Sequence, residues 1–318
     1  MERIDYFDAL GEGWRITWRY KILWLLGLLY AGFGGSGTRR EVSEEAAQES
    51  WRQTTEWISA NAGLAIGIGL VGLLVIIALV IISVSAQGGL VWAANEAAAG
   101  RKPAFGPAFR AGFRRAGRTF MIGLVPGLIM LALSIGYLMA LLAAGAGSLF
   151  IALAYGDMAA IESVVPAALG GMLAIGIGGA IVLLVVAFIV WMTMELAVRY
   201  GMLADYTFGR ALGRAWHDVW GRRGAVTFMW VSLLAALVVG IGLSIAGAPF
   251  PAREAGDPMG LWELIAGVIS VISATWISAS WTVFFRRMTG MERWQAPETY
   301  AQAAPLASPA GPTDPSGG

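Results

Sequence analysis

The chain has no cysteine and a single histidine in 318 residues. Disulfide frameworks and thiolate metal sites are excluded, and metal centres built on His and Cys go with them. Charge is scarce too. Only 14% of residues are charged, against about 25% in an ordinary soluble domain. The 22 basic and 21 acidic residues leave a net charge of +1, so no basic field points to nucleic acid, and no nucleic-acid partner is expected. The short motifs of hydrolytic and nucleotide chemistry are missing: there is no HExxH, no phosphate-binding GxxxxGK with Ser or Thr, and no GxSxG elbow. Gly176-Ile-Gly178-Gly179 sits inside an apolar run without a strand or basic group beside it, so it is not a dinucleotide loop. No cofactor, metal or catalytic residue is expected. The lone His217 reads as a polar-face residue of an amphipathic helix.

What the chain does have is apolar side chain. It is 57% hydrophobic, with a mean hydropathy of +0.67, more than a polar surface can wrap. The expected fold class is all-α, a polytopic helical membrane protein. A spanning helix needs about 20 apolar residues, since each adds about 1.5 Å across a hydrocarbon layer about 30 Å thick. Six segments qualify: 16–35, 64–85, 119–142, 166–191, 225–246 and 261–285. The first is the weakest, with Arg19 and Lys21 near its start, and a re-entrant or interfacial helix is its alternative. The third is expected to end before a Gly-rich break at Ala143–Gly147, with a short apolar patch, Leu149–Tyr155, beyond it. Pro126 should kink it. The membrane domain therefore covers 1–294, and the Pro- and Ala-rich segment 295–318 reads as a disordered tail. The first 20 residues carry four acids and look like an amphipathic helix rather than a signal peptide.

Six spans put both termini on one side. That side carries 18 basic residues and the opposite loops carry 4. Because basic loops stay cytoplasmic, both termini are expected there. The first outer loop is acidic, and its Ser43–Trp51 stretch can form a helix capped by Ser43.

Three segments on the basic side share the form aromatic-x-x-Ala-apolar-x-x-small-aromatic. They are Tyr6 to Trp14, Phe105 to Phe113 and Phe208 to Trp216. Their alanines, Ala9, Ala108 and Ala211, lie about 100 residues apart, and each copy precedes a pair of spans. Leu10, Trp14 and Trp18, like Leu212, Trp216 and Val219 or Trp220, recur at about four-residue steps and share a helix face. The expectation is three repeats, each an interfacial helix plus a helical hairpin. The second repeat unit adds a basic cluster. The candidate lipid-facing residues are Trp14, Arg15, Arg114, Arg115, Arg118, Arg214 and Trp216, and their expected partner is the bilayer with its anionic head groups.

Inside the bundle, small residues should carry the packing. The sixth segment has the longest such series, Ser270, Ala274, Ser278 and Thr282, read as a bundle-axis stripe. Glu195 and Arg199, four apart with the acid first, are read as an ion pair at the cytoplasmic interface. The opening Ala9-Leu10-Gly-Glu-Gly13-Trp14-Arg15, the following Tyr20-Lys21-Ile22-Leu23-Trp24-Leu25 and the later Ala211-Leu212-Gly-Arg-Ala215-Trp216 resemble a broad group of uncharacterised bacterial multi-pass membrane proteins. That group includes the membrane domain attached to some glycerophosphodiester phosphodiesterases. The soluble, His-dependent phosphodiesterase domain has no counterpart here, so the resemblance implies a bacterial plasma-membrane protein without hydrolase activity. The function expected is non-enzymatic organisation of lipids or partner membrane proteins through the basic helices. The alternative is transport of a small solute along the bundle axis.

Overall fold

A computed structural model describes residues 5–31, 44–155, 158–221, 223–247 and 261–291. Every regular element among them is helical: α1 (Tyr6–Arg19), α2 (Ile22–Ala31), α3 (Glu44–Ala60), α4 (Ala62–Ala98), α5 (Phe105–Arg114), α6 (Ala116–Tyr155), α7 (Met158–Leu203), α8 (Phe208–Gly221), α9 (Arg223–Gly247) and α10 (Leu261–Thr289). Five of these, α4, α6, α7, α9 and α10, are long and apolar enough to cross a membrane. The chain is a helical membrane protein. The expected tail 295–318 and the Ser43 cap lie outside the described residues.

The expected first span, 16–35, is divided. Ile16–Arg19 belongs to the amphipathic α1, and the helix ends at Tyr20, whose N–H reaches back to the Ile16 carbonyl. The Trp24 indole donates to the Thr17 carbonyl at 2.9 Å and ties the corner. The turn falls where Arg19 and Lys21 would otherwise enter the apolar run. Each cation lies instead over a ring, Arg19 over Tyr20 and Lys21 over Trp24. The ten residues of α2 reach about 15 Å, half a hydrocarbon layer.

The third segment also departs from expectation. No break occurs at Ala143–Gly147, and α6 runs unbroken through it to Tyr155 and through Pro126. In lipid an exposed backbone group has no water to bond, so glycine and proline that would end a helix in water are carried inside one.

Buried side chains gather at one end of the bundle, among the C-terminal parts of α4, α7 and α10, the starts of α6 and α9, and the short helices α1, α5 and α8. Across the middle of α4, α6 and α7 the apolar side chains face outward instead, as lipid-facing residues do. Hydrophobicity does not hold helices together within lipid, so the tertiary core forms at the basic end.

The three amphipathic helices build that core. α5 packs on α4, α8 on α7 and α1 on α10. Ala9, Ala108, Ala211 and Ala215 are wholly buried. A methyl group added at Gly13 would fall on Ser280 of α10, and one at Gly112 on the Ser85 carbonyl and the Gly89 amide of α4. The small residues of the shared pattern thus face the protein, and its aromatic residues sit at the edge of the contact.

Candidate functional site

The rim of the basic end is aromatic and cationic. Trp14 and Trp18 are about two-fifths exposed, and Phe113, Trp216 and Trp220 at least half exposed. The rings stack edge to face, Trp14 on Trp18 and Trp276, Trp18 on Trp24, Trp216 on Trp220. Such rings carry an apolar body and one polar edge, which suits a membrane–water boundary. His217 is exposed beside them.

The candidate arginines divide into two groups. Arg15 is open to solvent, 3.8 Å from Asp8. Arg214 is half exposed, 3.7 Å from Asp218. Arg114 is exposed and has no carboxylate partner among the described residues, and the same holds for Arg110 one turn earlier. Arg115 and Arg118 turn inward instead. Arg118 donates to Asp205 at 2.8 Å and to the Tyr206 carbonyl at 2.6 Å, and Arg115 donates to the same carboxylate at 3.2 Å. They lock the turn between α7 and α8, where Asp205 has a left-handed backbone, φ 55°.

The Arg118 and Arg115 hydrogen bonds hold the Asp205 carboxyl below its ordinary range. A depressed folded value means the contact stabilises above the unfolded pKa of about 4 and is lost as pH falls through the lower, folded one. Asp205→Asn is therefore expected to lower the detergent melting temperature by a constant amount from about pH 5 to about pH 8, the difference closing only on further acidification. Melting curves of both proteins across that range check it, and a gap that already shrinks near neutrality would contradict the assignment.

Three further polar contacts escape a reading by sequence alone. Asp218 is fully buried and accepts from the Tyr200 hydroxyl, joining α8 to α7. Arg286, 3% exposed, donates to the Asn95 side chain at 2.7 Å. Arg287 bonds Asp8 and Glu12 at 2.8 and 2.5 Å and ties α10 to α1. The clue for Asp218 lies in its register. It follows Ala211 by seven and Ala215 by three residues, so it shares the small, buried face of α8. Arg286 and Arg287 look in the sequence like solvated charges ending a span, and nothing local marks their partners.

Glu195 of the candidate pair and three residues of the candidate stripe border one cavity, which is open to the outside at Ser270. This cavity of about 350 Å³ lies among α2, α4, α7, α9 and α10. Its polar lining is Tyr30, Gln87, Glu195, Ser270, Ser273 and Ser278, and Ala274 lines it as well. Thr282 lies beyond, fully buried, its hydroxyl on the Ser278 carbonyl. Arg199 donates to the Glu195 carboxylate at 2.5 Å, as the spacing predicts. It also donates to the Ser278 carbonyl at 2.9 Å and lies over the Trp281 ring. Arg199 is enclosed by protein, with no exposed surface. Acceptors on α7 and α10 replace the water an interfacial guanidinium would have. The site's polar groups are carboxylate, guanidinium, hydroxyl and amide, and among the described residues no cluster of His, Asp or Glu could hold a metal. The chain matches no family model, no curated protein and no solved structure.

Proposed function

We propose that this is a non-enzymatic protein of a bacterial plasma membrane, with both termini cytoplasmic, that organises anionic lipids or neighbouring membrane proteins through a basic aromatic collar. In this reading six membrane-embedded segments form three repeats: α1, α2 and α4; α5, α6 and α7; α8, α9 and α10. Each amphipathic helix rests on the last long helix of the unit before it, and α1 resting on α10 closes the ring. A pseudo-threefold axis would then run along the membrane normal. The short α2 takes the place of a full span in the first unit.

The observation that carries the reading is the shared polarity of the three helices: alanines and other small residues inward, tryptophans, Phe113 and arginines outward. A helix so divided presents rings to the headgroup boundary and cations to anionic lipid, each cation near the surface adding about 1 kcal/mol. Replacing Arg15, Arg114 and Arg214 by Glu should abolish the enrichment of anionic over zwitterionic lipid around the reconstituted protein. Lipid mass spectrometry of the purified particles measures it, and enrichment equal to the unaltered protein would overturn the proposal. Arg115 and Arg118 are left in place because they hold the α7–α8 turn.

A second reading rests on the cavity, whose lining combines Ser270, Ala274 and Ser278 of the stripe with Glu195, whose carboxylate is paired with Arg199 behind it. It would suit passage of a small uncharged polar solute. Ser278→Trp should then block a flux into vesicles, and a broad solute panel showing no flux through the unaltered protein would end this reading.

A further inference from the structure

A second cavity, about 520 Å³, opens at the basic end between α4, α5 and the turn before α8. Its walls are Trp92, Pro107, Arg110, Arg114, Arg115 and Asp205. We propose that it is a phosphate-binding site, selective for a dianionic phosphomonoester over a singly charged phosphodiester.

The argument begins with helix geometry. Pro107, Arg110 and Arg114 recur at three and four residues, so α5 turns one face to the cavity. Arg110 and Arg114 are like charges four apart, which repel unless an anion sits between them. Neither has a carboxylate partner among the described residues. Arg115, the third guanidinium, is already committed to Asp205. The walls thus carry three guanidiniums and one carboxylate, an excess of at least two positive charges, and a phosphomonoester carries close to two negative ones. Guanidinium also matches phosphate geometrically, since its planar fork donates two parallel hydrogen bonds.

The walls are fixed in advance. Asp205 holds Arg115 and Arg118 from a left-handed backbone position, which aspartate adopts more readily than most non-glycine residues. The floor is fixed by the α5–α4 contact, where Gly112 and Ala108 meet Ser85 and Gly89. The volume falls within the range of about 300–1,000 Å³ typical of small-molecule sites. Phosphate could arrive on a lipid, with Phe113, more than half exposed on the same helix, meeting an acyl chain. It could equally arrive as the free anion.

This inference rests on the collar reading only for its depth at the headgroup level, and the two fail separately. Native mass spectrometry of the full chain in detergent would be run with phosphatidic acid, with phosphatidylglycerol of the same acyl chains, and with inorganic phosphate. Phosphatidic acid is expected to bind about tenfold more tightly than phosphatidylglycerol, a difference of about one ion-paired hydrogen bond. Arg110→Gln/Arg114→Gln should erase the preference, and because both side chains are exposed the fold should survive, as an unchanged melting curve would show. Displacement of phosphatidic acid by comparable concentrations of inorganic phosphate assigns the site to the free anion. Failure of phosphate to compete assigns it to the lipid. Equal affinity for the two lipids together with no binding of phosphate, or a preference that survives the double substitution, overturns the proposal. Arg15→Glu/Arg214→Glu leaves the cavity walls intact. If it leaves anionic enrichment unchanged while the phosphatidic acid preference persists, the collar falls and the phosphate site stands.

Discussion

Arg199→Ala is expected to destabilise the protein by about 3–5 kcal/mol, the usual cost of breaking a buried ion pair by removing one partner. The side chain is fully enclosed, and its guanidinium serves the Glu195 carboxylate and carbonyl and the Ser278 carbonyl at once. Truncation leaves the carboxylate facing a mostly apolar cavity with nothing to balance it and removes the link from α7 to α10. Thermal unfolding in detergent measures the loss. Replacing both partners by apolar residues, Glu195→Leu/Arg199→Met, should recover most of the stability, since buried pairs exchanged for hydrophobic residues are often neutral or better. A single variant that melts with the unaltered protein would show that the pair carries no structural load. A stable double variant that loses a flux would instead place the pair in the transport reading.

The second large effect is expected at Gly112. Its Cα faces the backbone of α4, and a methyl group there would coincide with the Ser85 carbonyl and press on the Gly89 amide. Backbone atoms cannot rotate aside as a flexible side chain can. Gly112→Ala should therefore push α5 off α4 at a cost of about 1–3 kcal/mol and open the α5 backbone to trypsin at its already exposed arginines. Gly11→Ala is the matching control. Gly11 lies inside α1 with nothing within 4 Å of the added methyl, so the substitution should stabilise by up to about 1 kcal/mol through helix propensity. Proteolysis and melting together test the pair. Equal behaviour of the two variants would mean that α5 is not docked as described.

Much of the fold was legible in the linear chain, because what decides a membrane helix is local. The apolar runs of α4, α7, α9 and α10 are long enough to be read by length and hydropathy, and α8 is delimited by its own periodicity. The errors fell where a local rule met a different solvent. Ala143–Gly147 carries glycines that would break a helix in water, and lipid removes the competing solvation. Tyr20–Lys21 interrupts an apolar run that counting had joined, because two cations and the Trp24 indole bond define a corner there. The candidate site was legible in its parts. The spacing of Glu195 and Arg199 announced their pairing, and the step of four along α10 announced a stripe. The aromatic positions drew attention to the repeated pattern, whereas the docking surface proved to be the alanines and glycines beside them.

By itself the sequence determined that the chain is helical and membrane-embedded, which helix faces are apolar, and that the amphipathic segments have a small, close-packing side. These follow from hydropathy and from the period of about 3.6 residues, which act over a few turns. Only the tertiary structure decided that Arg199 ends against Ser278, 79 residues on, that Arg286 ends against Asn95, 191 residues back, and that three arginines and Asp205 enclose one cavity. Hydrogen bonds and ion pairs act over about 3 Å. Which polar groups come within that range depends on how the helices pack, and the hydropathy of any single segment says nothing about its neighbours.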